Sequence, residues 1–491
     1  MQRDLARLSN EHFNLLVIGG GITGACVARD AALRGLTVAL IEKNDFACAT
    51  SAHNSKLIHG GLRYLRNFEL GLVRDSLRER RIWQRIAPHL VHPLPFLIPL
   101  HGGGWKARTT LAAGLTLYDL LSFDRGWLPD PKQRLPGHRW INAKTALARE
   151  PLLEAPTFEG AFEYYDAQMI SPEGLALEIV IDAAAHGAAV ANHLAAETLL
   201  VRNGRVEGAA VSDTFAEARF DIRADSTLIA AGPWADIFLA HALGGPASHR
   251  LMRSKGIHLI VPAMTRTAAL TVAANGGHFF VLPWRKHSLL GTTDTAFAGS
   301  PDDVGVTENE ISDFLGFINA HLPSAKLKRE DVQHFYAGLR PLVDDGARST
   351  YSASRRAELI DHGKDDAVEG LFSAIGGKWT TSRHLAEKTV DVIAAKLGKS
   401  THPCATAITK LPGAGFEYRH PDVTRAIHEE MAMTLEDVVM RRTGIGQLGD
   451  PGSAVLEQVA AVMANELGWD EARRPREIQT VQANFRTRTE A

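Results

Sequence analysis

NLLVIGGGITGACVARDAALRGLTVALIE, residues 14–42, decides the fold class. Asn14 to Ile18 is a short apolar run that stops at glycine, the pattern of a strand buried on both faces of a parallel sheet. Gly19-x-Gly21-x-x-Gly24 follows, then a helical stretch from about Ile22 to Arg34 that Gly35 ends. Thr37 to Ile41 is a second strand, with Glu42 at its C-terminal end and Lys43 beside it. The glycine spacing has a mechanism. One glycine permits the tight turn, the next lets backbone approach a pyrophosphate, and the third lets helix pack on strand. The helix N-terminus, with Ile22 and Thr23 in its first turn, then faces the phosphate charge. Glu42 is placed to accept from an adenosine ribose. A bare GxGxxG is weak evidence, and its bland alternative is a tight βα turn. In a strand–helix–strand–acid context it reads as a dinucleotide site.

Three later features favour FAD over NAD. Ala49-Thr50-Ser51 follows soon after Glu42, with hydroxyls and amides within reach of a pyrophosphate. The apolar strand Thr227 to Ala231 ends at Gly232, as the return segment beside the adenosine half does. Gly376-Gly377 opens a late helix whose positive end suits the pyrimidine side of a flavin. An NAD domain needs no contribution so far downstream, and a second GxGxxG is absent.

The rest of the chain sets limits. With 491 residues, 45% hydrophobic, two or three domains are expected. A net charge of −2 speaks against a nucleic-acid partner. Cys26, Cys48 and Cys404 form no CxxC pair, so neither a disulfide framework nor an iron–sulfur cluster is expected. His278, His287 and His334 lack ligand spacing and Asp344-Asp345 reads as a solvated turn, so no metal is expected. Met1 to Phe13 has no apolar core of a secretory signal, and no uncharged apolar run spans a bilayer. Amphipathic helices are expected over Leu70 to Ile86 and Trp105 to Leu121, and the second, with Lys106 and Arg108 at one end, has the chemistry of a membrane-surface helix or of one packed on the core. Beyond Pro403 the pattern becomes mostly helical, which places a boundary near 400–412.

Several further segments carry a family resemblance. Cys48-Ala49-Thr50-Ser51, then SKLIHGGLRYL from Ser55 to Leu65, Ala230 to Trp234, Gly291-Thr292-Thr293-Asp294, Gly338-Leu339-Arg340-Pro341-Leu342 and Gly376-Gly377-Lys378-Trp379-Thr380-Thr381 occur in one order over roughly residues 13 to 400. In that order they resemble the FAD-dependent glycerol-3-phosphate dehydrogenases. The resemblance implies an α/β FAD-binding fold of the glutathione-reductase and amino-acid-oxidase type over residues 1–400. Its FAD-binding part is discontinuous, mainly 13–90, 165–240 and 340–400, and the intervening segments form a mixed-sheet substrate domain. A reduced helical C-terminal domain follows over 405–491. The resemblance also implies glycerol 3-phosphate as substrate, a membrane quinone as electron acceptor, and a peripheral enzyme on the cytoplasmic face of a bacterial inner membrane; a homodimer is compatible with it. Ser382 stands where the family often has tyrosine, which suggests a wider pocket.

The reaction so implied takes a hydride from C2 to flavin N5 and a proton from the C2 hydroxyl. The protein must hold a phosphate dianion and accept a proton near neutral pH. Similar enzymes place His59 and Arg63 over the flavin. His59 is assigned as the base, the alternative being a histidine that only hydrogen-bonds flavin or backbone. Arg63 and Lys378 are assigned to substrate, and Arg340, between apolar Leu339 and rigid Pro341, to the catalytic centre. The competing readings are a dehydrogenase of another polyol phosphate such as erythritol phosphate, an oxygen-using oxidase of the same fold, an amino-acid oxidase, and a non-catalytic flavoprotein.

Overall fold

A computed structural model describes residues 1–245, 250–274, 277–343, 357–413 and 422–489. Asp344 and Asp345 lie outside the described residues.

The apolar run before the first glycine becomes the strand His12–Ile18, the centre of the first sheet. It pairs in parallel with Val38–Ile41 on one side and with Arg219–Ile229 on the other. Ala189–Ala191 and Leu371–Gly376 extend the parallel sheet outward. Such a sheet must be covered on both faces. Ile22–Leu33 packs between Pro172–Ala185 and Ser382–Lys396 on one face, in a core rich in alanine and valine. The hairpin Leu194–Arg202 and Arg205–Asp213 turns at Asn203-Gly204 and joins the antiparallel edge of Arg219–Ile229. The apolar residues 227–229 are therefore the end of one long strand.

Among the described residues, a second sheet carries ten strands. Val91–His101 runs antiparallel to Phe158–Met169, and Leu251–Pro262 to His334–Val343. The helices Leu70–Ile86 and Gly104–Leu121 flank it, within one residue of the ranges expected from sequence. The late glycine pair does not open a helix directly. A short 3₁₀ turn, Trp379–Thr381, intervenes before Ser382–Lys396.

The C-terminal helices have a core of their own around Leu435, Val439, Leu456 and Val481. Residues 402–411 belong to the nucleotide-binding body instead: His402 N donates to Arg34 O, Leu411 N to Ile86 O, and Leu411 sits in that body's core.

Candidate active site

The first βα turn opens onto a cavity of about 360 Å³ whose walls include Gly19, Gly21, Glu42, Lys43, Thr50, Ser51 and Gly232. Seven of the expected cofactor residues thus share one site although they come from three segments. The cradle can be built only from glycine. A Cβ on Gly19 would lie 2.6 Å from Ala230 O, and one on Gly24 would lie 1.9 Å from Gly19 O. Gly21 gives the helix Ile22–Leu33 no side-chain cap, and Ser51 Oγ accepts from Ile22 N at 2.8 Å. Thr23, half-buried, stands in the same first turn. Glu42 accepts from Gly20 N at 2.7 Å and Asn44 N at 3.0 Å, and burial raises its carboxyl. Lys43 reaches Asp302 at 2.9 Å and lies 4.5 Å from the Trp234 ring centre. A helix N-terminus, a carboxylate at the next strand end and a side-chain-free cradle between them fit the adenosine and pyrophosphate half of FAD.

Residues 50–64 run from this cavity past two clusters of polar groups. At the first, Thr50 Oγ1 donates to Leu339 O at 2.7 Å, which ties the loop to the strand bearing Arg340. The Arg340 guanidinium donates to Ser254 Oγ at 3.0 Å and Thr292 Oγ1 at 2.8 Å. Ser254 in turn donates to Asp294 at 2.8 Å. A Cβ on Gly256 would lie 2.3 Å from Arg340 Nη2, so this mid-strand glycine makes room for the guanidinium. His258 is buried on the same strand, 2.9 Å from Ser55 Oγ and stacked on Tyr336.

At the second cluster the chain turns through Gly60-Gly61. His59 N donates to Thr380 Oγ1 at 3.2 Å. Lys378 Nζ donates to Ser76 Oγ at 2.5 Å and lies 4.5 Å from the Tyr64 ring centre. Arg63 stacks on the same ring at 4.9 Å. Gly376 and Gly377, with φ of +72° and +86°, make the turn that delivers Lys378 here, away from the adenosine cavity. Burial and the Arg63 charge push the Lys378 ammonium down to about 7.

Two sequence expectations change. His59 is not poised near neutrality: burial, then Lys378 and Arg63, hold it down at about 3. Ser382 does not widen a pocket, because it is buried with Oγ donating to Trp379 O at 2.8 Å and lying 3.7 Å from Cys26 Sγ. Sequence reading gave no site role to Ser254 and His258, nor to Thr292 and Thr293, which it met only as part of a family motif. The signals available were Gly256 and Gly338 facing each other inside paired strands, because a strand glycine marks a close approach. Among the described residues, Asp45, His193 and Asp437 have metal-ligand proximity. Arg441 bonds both carboxylates and Arg442 bonds Asp45, so the cluster is an ion-pair network.

Residues 14–392 match the family of FAD dependent oxidoreductases, and residues 385–474 the C-terminal domain of alpha-glycerophosphate oxidase. A glycerol-3-phosphate dehydrogenase of Synechocystis is 34% identical over 97% of both chains. The chain belongs to the FAD-dependent glycerol-3-phosphate dehydrogenase family. A family member from Mycobacterium tuberculosis, glycerol-3-phosphate dehydrogenase 2, is 32% identical over 99% of this chain and 89% of its own. The glycerol-3-phosphate dehydrogenase of Bacillus halodurans, solved with FAD, superposes with a TM-score of 0.77 at 26% identity, covering 98% of this chain and 96% of that one. The protein is an FAD-dependent oxidoreductase of the fold read from its sequence. No described helix is long and apolar enough to cross a membrane.

Proposed function

We propose that this enzyme oxidises glycerol 3-phosphate to dihydroxyacetone phosphate and passes the electrons to a membrane quinone. The observation that carries the reading is the pair of cations, Arg63 and Lys378, gathered on the Tyr64 ring beside His59. Two cations suit a phosphate dianion better than a carboxylate or a neutral polyol. FAD, when bound, supplies the acceptor for the hydride of C2. Arg63 and Lys378 hold the phosphate, and Arg340, braced by Ser254 and Thr292, polarises the C2 oxygen. Burial and then the Lys378 and Arg63 charges hold His59 down; the dianion offsets the share due to those charges, so its imidazole becomes a better proton acceptor as the complex forms. His258, buried beside Arg340, is the alternative acceptor.

Anaerobic stopped-flow reduction tests the substrate: glycerol 3-phosphate reduces the flavin fast, erythritol phosphate and glycerol slowly. Faster reduction by erythritol phosphate would reject the first-choice substrate. Rapid reoxidation by oxygen without quinone would turn the enzyme into an oxidase.

A bilayer surface fits one face. The helix Gly104–Leu121 exposes Trp105 and Leu120, and Phe68, Phe123 and Trp127 stand exposed on neighbouring segments. The helix carries Lys106 and Arg108, while its one acid, Asp119, is turned onto His138. Aromatic rings with exposed cations suit an anionic lipid surface, which also brings quinone to the enzyme.

A further inference from the structure

Asp166 is a fully desolvated carboxylate with no part in the chemistry above. It stands on the strand Phe158–Met169, which pairs with the two-residue strand Leu57–Ile58. That pairing ends at Ile58 opposite Ala167, where the chain leaves the sheet to make the His59-Gly60-Gly61 turn. Asp166 takes over at that point. Its Oδ1 accepts from Gly60 N at 3.1 Å, from Arg80 Nη1 at 2.5 Å and from Tyr118 Oη at 2.8 Å. Burial raises its carboxyl, and Arg80 opposes that rise. Arg80 is itself fixed, donating to Tyr165 O at 3.0 Å and Ser122 Oγ at 2.8 Å.

The turn is also fitted sterically to this anchor. A Cβ on Gly60 would lie 2.3 Å from both Leu77 Cδ2 and Tyr118 Oη. Three elements therefore converge on one amide: the second sheet through Asp166, the helix Leu70–Ile86 through Arg80, and the helix Gly104–Leu121 through Tyr118. One residue before that amide is His59, and three residues after it is Arg63. A turn built on two glycines would otherwise sample many conformations.

We propose that Asp166 is the positioning residue that fixes the Gly60 turn, and with it His59 and Arg63, against Lys378. The carboxylate acts through backbone and touches neither substrate nor cofactor. It also supplies negative charge to the cation pocket. Lys378 is faced by Arg63, which lowers it, and by Glu69, Asp166 and Asp75, which raise it.

The proposal rests on the glycerol 3-phosphate reading, and the test separates the two. Wild-type and Asp166→Asn holoenzymes are compared with FAD content checked. In the variant kcat for glycerol 3-phosphate falls at least about tenfold, since small displacements of a positioned group cost that much or more. Inorganic phosphate, titrated by its effect on flavin absorbance, provides a readout independent of turnover. Its affinity falls as pH rises through the Lys378 transition, and that limb moves to lower pH in the variant. A turnover within twofold of wild type overturns the proposal. If glycerol 3-phosphate fails to reduce the wild type, the functional reading falls, and an unmoved phosphate limb then overturns the role of Asp166. Should Asp166→Asn not accumulate as yellow protein, the paired Asp166→Leu/Arg80→Met variant removes both buried charges and the Gly60 acceptor together. The same kinetic measurement decides with it.

Discussion

Lys378 is expected to set the alkaline edge of activity. Its ammonium is pushed down to about 7, so the cation is present below that pH and lost above it. The free-enzyme profile, kcat/KM, therefore falls as pH rises through the neighbourhood of 7. On the acid side the substrate itself titrates, because a phosphate monoester loses its second charge below a pKa of about 6. No histidine limb is expected between them, since His59 lies at about 3 and His258 well below its usual range. Lys378→Arg checks this: a guanidinium stays charged, so the alkaline limb disappears while the acid limb stays. An unchanged limb would assign it elsewhere. Arg340→Ala is expected to cost about 1.5–3 kcal/mol, at least tenfold in kcat/KM, with FAD retained. Gly256→Ala is expected to act in the same direction, because its methyl would meet Arg340 Nη2 at 2.3 Å and Thr292 Oγ1 at 2.5 Å. Near-normal kinetics in both folded variants would remove Arg340 from the site. Residue identity was legible wherever a motif named it, as with Arg340 and Lys378. The state of His59 was not, because its pKa depends on burial in the folded chain and then on Lys378, hundreds of residues away.

At the scale of elements, periodicity and turn residues carried the reading. Leu70–Ile86 emerged at its expected bounds because its apolar positions repeat at helical spacing, although two of its charges, Glu79 and Arg80, are buried with them. Asn203-Gly204 carries the turn signal of the hairpin it closes, but Thr227 to Ala231 reads as a separate apolar strand since the stretch before it, Arg219 to Asp225, is mostly polar although it belongs to the same ladder. The helix Gly104–Leu121 kept two readings open from sequence, core packing or lipid contact. The structure buries Leu115 and Tyr118 and leaves Trp105 72% exposed, so one face packs on the core and the other is open. Liposome flotation tests the outward face. Holoenzyme is expected to float with anionic vesicles, less with zwitterionic ones, and less again at high salt. Trp105→Ser combined with Lys106→Glu and Arg108→Glu is expected to abolish flotation while leaving flavin reduction by glycerol 3-phosphate unchanged. Equal flotation of variant and wild type would rule this helix out as the contact.

At the scale of the whole molecule, buried ion pairs hold the C-terminal unit to the nucleotide-binding body. Its helical character was legible from Asp422 onward, but its attachment was not, since the partners are 396 and 397 residues apart. Asp45, at the end of the segment that starts with Glu42, is fully desolvated and takes Arg442 through both oxygens at 2.6 and 2.8 Å as well as bonding Arg441. The Arg442 and Arg441 charges hold its carboxyl below the usual range against burial. A pair so buried adds little over an apolar pair of the same shape, but breaking it is costly, about 3–5 kcal/mol. Arg442→Ala is therefore expected to lower the thermal midpoint sharply, whereas Arg442→Met with Asp45→Leu recovers much of it. The location predicts a second effect. Asp45 follows Glu42, Lys43 and Asn44, all of which line the cofactor cavity, so loosening this anchor loosens the cavity wall. Excess FAD stabilises the folded protein by an amount set by its Kd. The midpoint gained on adding FAD should thus be smaller in Arg442→Ala than in wild type, and the released-FAD rate faster. An equal gain in both proteins would show that the C-terminal unit is docked on the nucleotide-binding body without bracing its cofactor site.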